Sequence, residues 1–208
     1  MSRQPANKRI REARREMYRR VITEAAESVF SEKGFANARM SDVALEAGIS
    51  LKTLYATFSG KLELFEAIRA VRIDEVMALS AAVSEGPPLE VVMSRVRVSV
   101  EYLLANPHFL RIHLREGNAW TIQPNDVASS APDRWSANLS EQAKTIQRGI
   151  DEGVFENGDP ELLVKMVNAV YQVQLADWLE REETASPAVL VERIQAYVKR
   201  LLCRTGSC

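Results

Sequence analysis

Lys52, Thr53, Tyr55, Ala56 and Thr57 crowd into six positions around Leu54, with Phe58 closing the segment. Wound as a helix over 51–58, this stretch turns Leu54 and Phe58, four apart, to one side. The small and polar residues are left on the outer faces. A helix that lies in a DNA major groove needs that division: apolar anchors beneath, donors for phosphate and base edges above, little bulk between. Lys61 follows closely. If it opens the next helix, its ammonium lies beside free backbone N–H groups where a phosphate can be clamped. Further upstream, Arg3, Lys8, Arg9, Arg11, Arg14, Arg15, Arg19 and Arg20 face only Glu12 and Glu16 over twenty residues, a run suited to a polyanion.

Charge separates this end from the rest. Residues 1–62 carry 12 Lys and Arg against 7 Asp and Glu, and the remainder carries 15 against 21, so the net charge of -1 conceals a basic head and an acidic body. Chemistry of other kinds lacks its residues. There is no Gly-rich phosphate loop and no Gly-x-Ser-x-Gly, and only two histidines occur. His108 and His113 stand five apart rather than at the i, i+4 spacing of a helical zinc pair, with no cysteine near. Cys203 and Cys208 lie too late and too close to frame a fold or complete a metal site. The reading is therefore not an enzyme, with no metal and no cofactor. No apolar run approaches the roughly 18 residues of a membrane span, and the start lacks the apolar core of a signal peptide, which points to a soluble cytoplasmic protein. With 208 residues and 46% hydrophobic content the chain can bury the core of one large domain or two small ones.

The elements that must position these residues read as all-α, about nine helices with no convincing strand. Met17, Val21, Ile22, Ala25, Ala26, Val29 and Phe30 form one apolar stripe of a helix ending at Gly34. A short helix fits Met40 to Ala47, stopped by Gly48, and another fits Leu51 to Phe58 with Ser50 as N-cap. Two short helices joined by Gly48, Ile49 and Ser50 make a helix-turn-helix pattern. Further helices run from Leu62 to about Ser84, from Leu89 to Leu104, near His108 to Asn118, and from about Trp135 to Gly153. Asp159-Pro160-Glu161 and Ser186-Pro187 each read as cap and first helical position of the last two.

Gly34-Phe35, Met40-Ser41-Asp42-Val43-Ala44, Ala47-Gly48-Ile49-Ser50, Thr53-Leu54-Tyr55, Phe58 and Lys61 together resemble the DNA-binding domain of TetR-type (tetracycline-repressor-like) transcriptional regulators. The resemblance covers roughly residues 14–65. It implies a basic arm over 1–13, a DNA-binding domain over 14–62 and a ligand-binding and dimerisation domain over 63–208. It also implies a homodimer on a pseudo-palindromic double-stranded operator, acting as a repressor released by a small-molecule effector. Carried over by position, Arg39 and Ser41 would meet phosphate, Leu51 and Lys52 would approach bases, and Ser50, Thr53, Tyr55, Ala56, Thr57 and Lys61 complete the DNA surface. This chain departs from the family at Ala38 and Arg39, where a hydroxyl usually caps the second helix, and Arg39 is expected to substitute a direct ionic contact. It departs also at Thr57, where an aromatic or histidine is usual, and at apolar Leu51.

The last two helices are apolar on more than one face: Leu162, Leu163, Met166, Val167, Val170, Tyr171, Leu175, Trp178 and Leu179, then Leu190, Ile194, Tyr197, Val198 and Leu201. Closing such pairs two-fold into a four-helix bundle would bury the surplus. For the small-molecule pocket that the resemblance implies, aromatic walls are available from Tyr102, Phe109, His113, Trp120, Trp135, Tyr171 and Trp178, with Gln174 as a polar anchor and Arg111, Arg115, Glu116 and Asn168 as further candidates. A helical ligand-binding or adaptor protein with only non-specific DNA affinity is the alternative. It would keep the apolar C-terminal helices but has no need of the basic start or the Thr53-Leu54-Tyr55 face.

Overall fold

A computed structural model of the protein describes residues 4–116, 132–181 and 186–203, with side chains outside 4–7, 116 and 132–137. Among these residues there are nine helices and no strand: α1 (Gln4–Asn37), α2 (Met40–Glu46), α3 (Leu51–Thr57), α4 (Lys61–Ala81), α5 (Pro88–Ala105), α6 (Pro107–Glu116), α7 (Pro132–Asp151), α8 (Pro160–Glu180) and α9 (Pro187–Leu202). The residues up to Arg72 form one compact unit with α6 from His108, and the remaining elements form a second.

The N-terminal unit is organised by α1. Ile22, Ala25, Ala26, Val29 and Phe30 recur at helical spacing and are all buried. Against them pack Met40, Val43 and Ala44 of α2, Leu54 of α3, Phe58, Leu64, Phe65 and Ile68 of α4, and Ile112 of α6. Phe30, Phe35 and Phe65 meet at ring-centroid separations of 5.9, 5.6 and 4.7 Å, tilted or edge-on as aromatic quadrupoles favour. Burying each of the largest of these side chains stabilises by about 1.5–3 kcal/mol. The helical path of α1 is broken at Gly34, whose φ of 75° lies in the left-handed region that glycine adopts without steric penalty. The expected helix end thus falls at the break. At the other end α1 does not wait for Arg14 but is already helical at Gln4, helped by Lys8–Glu12 and Arg20–Glu24 pairs one turn apart.

In the C-terminal unit Val91, Val92, Val96, Val100 and Leu103 of α5 pack with Ile146 of α7, Val164, Val167 and Leu175 of α8, and Leu190, Val191, Ile194, Val198 and Leu202 of α9. The two capping motifs work as their sequences require. Asp159 accepts from the amides of Glu161 and Leu162 at 2.9 and 3.2 Å, and Ser186 accepts from Val189 at 3.5 Å. Inside the core lies Arg95, which gives Nε–H to the Val83 carbonyl at 2.8 Å and Nη1–H to Thr145 Oγ1 at 3.0 Å. Burial pulls its pKa below the ordinary value. Phe155, fully buried, packs on Gly149, so close that a β-carbon there would stand 2.1 Å from the ring.

Candidate nucleic-acid interface

The turn between α2 and α3 is built by two local devices. Gly48, with φ of 63°, ends α2 in the left-handed region, and the amides of Gly48 and Ile49 bond back to Leu45 and Ala44 at 3.1 and 3.0 Å. Ser50 then opens α3 by accepting from the Thr53 amide at 3.1 Å, with the two hydroxyls 2.8 Å apart. This cap fixes the rotation of α3 about its axis. Leu54 and Phe58 are buried at 0 and 1%, while Leu51 and Tyr55 stay exposed at 43 and 50%. Lys52 and Ala56 are exposed as well, and Thr53 and Thr57 are half-buried on the flanks. Thr57 Oγ1 donates to the Thr53 carbonyl at 3.1 Å, which ties its hydroxyl to the helix's own backbone. A single helix face therefore presents Leu51, Lys52, Tyr55 and Ala56 outward.

The start of α2 is capped, though not by the residue at the cap position. Asp42 accepts from the Arg39 amide at 3.1 Å, and Lys33 holds the same carboxylate at 3.0 Å. The Lys33 ammonium, then the Arg39 amide, keep Asp42 below its ordinary pKa. The acid therefore supplies the return half of a capping box, on the amide of the cap residue, at the helix terminus that favours negative charge. Arg39 and Ser41 stay exposed at that end.

Lys61 opens α4, and its ammonium turns to the end of α1. Its Nζ donates to the carbonyls of Phe35, Ala36 and Ala38 at 2.6, 3.0 and 3.0 Å and stands 4.6 Å from the centre of the Phe35 ring. Carbonyl groups at the end of α1 are short of donors, and the cation is drawn to them. Nor is the first turn of α4 open to an anion. Glu63 occupies it, accepting from the amide and hydroxyl of Ser59 at 2.7 Å each, bonds that hold its pKa down together with the nearby charges of Arg19 and Arg15. Lys61 is thus a tether between α4 and α1.

The residues expected to line a pocket fall in both units. Phe109 and His113 lie in α6 of the N-terminal unit, ring centroids 5.8 Å apart, with Phe109 2% exposed. Burial, and secondarily the charge of Arg69, lowers the His113 pKa to about 4. Both belong to the packing of the N-terminal unit, where α6 is further fixed by a 2.7 Å hydrogen bond between Ser31 Oγ and His108 Nδ1 and by Arg115 donating to the Ser31 carbonyl at 2.9 Å. In the C-terminal unit Tyr102 donates its phenol to Glu75. Tyr171, Gln174 and Trp178 share one face of α8 by their spacing of three and four, all half-buried, and burial raises the Tyr171 pKa. Asn168, one turn before Tyr171, is 4% exposed and its Nδ2 has no hydrogen-bond partner. An orphaned buried donor one turn from Tyr171 suits a ligand with an acceptor group. Trp120 and the side chains of Trp135 and Glu116 lie outside the described residues.

On the outer side of the last helices, Leu162, Met166 and Val173 of α8 and Val189 and Tyr197 of α9 are between 40 and 64% exposed. The first three follow one another at spacings of four and seven, a single apolar stripe.

Residues 22–68 match the family described as bacterial regulatory proteins, tetR family. The chain is 22% identical to an HTH-type transcriptional regulator of Bacillus subtilis, YhgD, over 182 residues, covering 86% of this chain and 94% of that one. Its fold is similar to that of the ketosteroid transcriptional regulator KstR2 of Mycobacterium tuberculosis, with a TM-score of 0.74 at 22% identity over 90% of this chain and 95% of the other. It is likewise similar to AibR, solved with isovaleryl coenzyme A and operator DNA, with a TM-score of 0.73 at 15% identity over 87 and 97% of the two chains.

Proposed function

We propose that the chain, whose residues 22–68 match the tetR family of bacterial regulatory proteins, is a homodimeric repressor that binds a pseudo-palindromic operator and leaves it when a small molecule binds the C-terminal unit. The observation that carries the reading is the outward face of α3, where Lys52, Tyr55 and Ala56 are exposed over fully buried Leu54 and Phe58. Lys52 reads base edges, and Leu51 and Ala56 meet thymine methyl groups. Ser50, Thr53, Tyr55 and Thr57 set the register, while Arg39 and Ser41 hold phosphate at the start of α2. Lys61 contributes by fixing α4 rather than by touching DNA.

Dimerisation is supported by the exposed stripe of Leu162, Met166 and Val173, which a two-fold partner would cover. A dimer also doubles the contact area, which one short helix-turn-helix lacks for specific binding. The effector's site is supported by Asn168, Tyr171, Gln174 and Trp178 on α8. The orphaned amide asks for a carbonyl or carboxylate on an otherwise apolar molecule, the kind of group that isovaleryl coenzyme A carries in its complex with AibR. Such a ligand releases DNA only by binding the non-DNA conformation more tightly.

Selection of bound sequences from a random duplex pool tests this. A two-fold symmetric consensus is expected, with preference at particular base pairs relaxed by Lys52→Ala and affinity for all sequences lowered by Tyr55→Phe or Arg39→Ala. Salt-sensitive binding without a consensus would overturn the reading in favour of a helical ligand-binding protein with non-specific DNA affinity.

A further inference from the structure

The family match begins at residue 22, yet α1 runs as a helix from Gln4. The extension is continuous with the face of α1 that packs in the N-terminal unit. One heptad before buried Ile22 stands Arg15, and one heptad before that Lys8; Arg19 stands a heptad before buried Ala26, and Arg11 lies between Lys8 and Arg15 on the same side. Along one helix face the side chains thus change from apolar to cationic where the packed unit ends. Lys8, Arg11 and Arg15 are exposed there, while Arg19, half-buried, lays its guanidinium over the Phe58 ring at 4.5 Å. Arg15 and Arg19 are also near enough to Glu63, in the first turn of α4, to lower its pKa. The cationic stripe therefore starts at the end of the reading helix and runs outward from it.

A stripe on the core-facing side of a helix, beyond the core, sets like charges at intervals of three and four, with Lys8 paired to Glu12, and is stabilised by an anion lying alongside. From Arg19 back to Lys8 the helix rises about 16 Å, nearly half a turn of duplex. We propose that the helical extension of α1 is a second DNA-binding element, in which Arg11, Arg15 and Lys8 follow the phosphate backbone of duplex flanking the bases read by α3. It supplies affinity without sequence preference. The inference deepens the proposed DNA-binding function, since the stripe is placed beside the same reading helix.

The test compares wild type with Arg11→Gln/Arg15→Gln on two random-sequence duplexes, one about 40 base pairs long and one trimmed to about 16, by titration across salt concentrations. For every phosphate that a variant no longer neutralises, the slope of log affinity against log salt becomes shallower by about 0.9. On the long duplex the double variant is expected to have a slope shallower by about 2 to 4 per dimer and at least tenfold weaker binding at low salt, and Arg11→Lys/Arg15→Lys is expected to keep the wild-type slope. On the trimmed duplex wild type and variant should agree. Far-ultraviolet circular dichroism of the full chain establishes that the variant keeps its helix content. An unchanged slope on the long duplex overturns the inference, and so does an equal loss on both lengths, which would place the arginines at the core site or in the fold. Because the duplexes are random, these outcomes stand whether or not a symmetric consensus exists. Failure to select one would count against the regulator reading alone.

Discussion

Replacing Lys61 with methionine keeps the aliphatic stem and removes only the ammonium, and it separates two roles that one position could serve. The structure directs all three N–H bonds of Nζ to the carbonyls of Phe35, Ala36 and Ala38. A hydrogen bond with a charged partner contributes about 1.5–3 kcal/mol, but three bonds to one ammonium are not additive, and water reaches part of this site, so a loss of about 2–3 kcal/mol is the working figure. The face of Phe35 at 4.6 Å adds a cation–π share of at most about 1 kcal/mol within that total. For a chain of this size each kcal/mol moves Tm by about 2–4 °C, so Lys61→Met is expected to unfold about 4–12 °C earlier. The salt slope of DNA binding, measured at a temperature where the variant is folded, should be unchanged. A phosphate clamp predicts the reverse, with Tm within about 1 °C of wild type and a slope shallower by about 1.8 per dimer. That result would refute the tether.

Further perturbations follow from other contacts. His113 is held near a pKa of about 4 against an ordinary 6.5, so the unfolded chain takes up its proton first as pH falls. Stability is kept above pH 6.5 and lost towards pH 4, by up to about 3 kcal/mol, and His113→Leu should flatten urea midpoints across that interval. Gly149→Ala drives a methyl into the buried Phe155 ring and should destabilise by about 1–3 kcal/mol or more, with Phe155→Leu recovering part of the loss. Arg72 grips Glu27 with two bonds at 2.9 and 3.2 Å, and Glu27 is 7% exposed. Arg72→Met leaves that carboxylate buried and uncompensated, costing about 3–5 kcal/mol, whereas Glu27→Leu/Arg72→Met should recover most of it; equal Tm for single and double variants would contradict the pairing. Val173→Glu on the exposed stripe of α8 should shift sedimentation towards the 23.3 kDa monomer without lowering helix content.

What the sequence disclosed was whatever depends on neighbours within a turn or two. The starts of α8 and α9 follow from an Asp or Ser cap with proline next to it, and the outward face of α3 follows from Leu54 and Phe58 standing four apart. The capping acid Asp42 had a local signature too, since an acid three residues after the cap position reaches back to its amide, while Arg39 itself carries no side-chain acceptor. Long-range partners left no such trace. The bond between Ser31 and His108 spans 77 residues, and that between Lys61 and Phe35 spans 26. Hence α6 read as part of the body behind the reading helix, and Phe109 and His113 read as pocket walls, although both pack in the N-terminal unit. A lysine at the start of a helix is chemically fit for phosphate or for carbonyl oxygens, and only the arrival of the α1 terminus beside it decides between them.

Within the N-terminal unit, those same long-range contacts converge on α1. Lys61 holds the α1 end, and Arg72, eleven residues and about 16 Å further along α4, holds Glu27 near its middle. His108 and Arg115, at the two ends of α6, both bond Ser31. Two helices that lead away from the unit are thus each fastened to α1 at its C-terminal half, while the reading helix is packed on the same half through Leu54 and Phe58. A helix fastened at two separated points cannot tilt without breaking one of them, and the Glu27–Arg72 pair is too buried to break cheaply. Bending inside the unit is therefore the expensive motion. Under the proposed regulation an effector with a few kcal/mol of differential affinity would carry the reading face as one body, and variants that loosen Ser31 or Glu27 should then weaken effector-driven release before they weaken DNA binding.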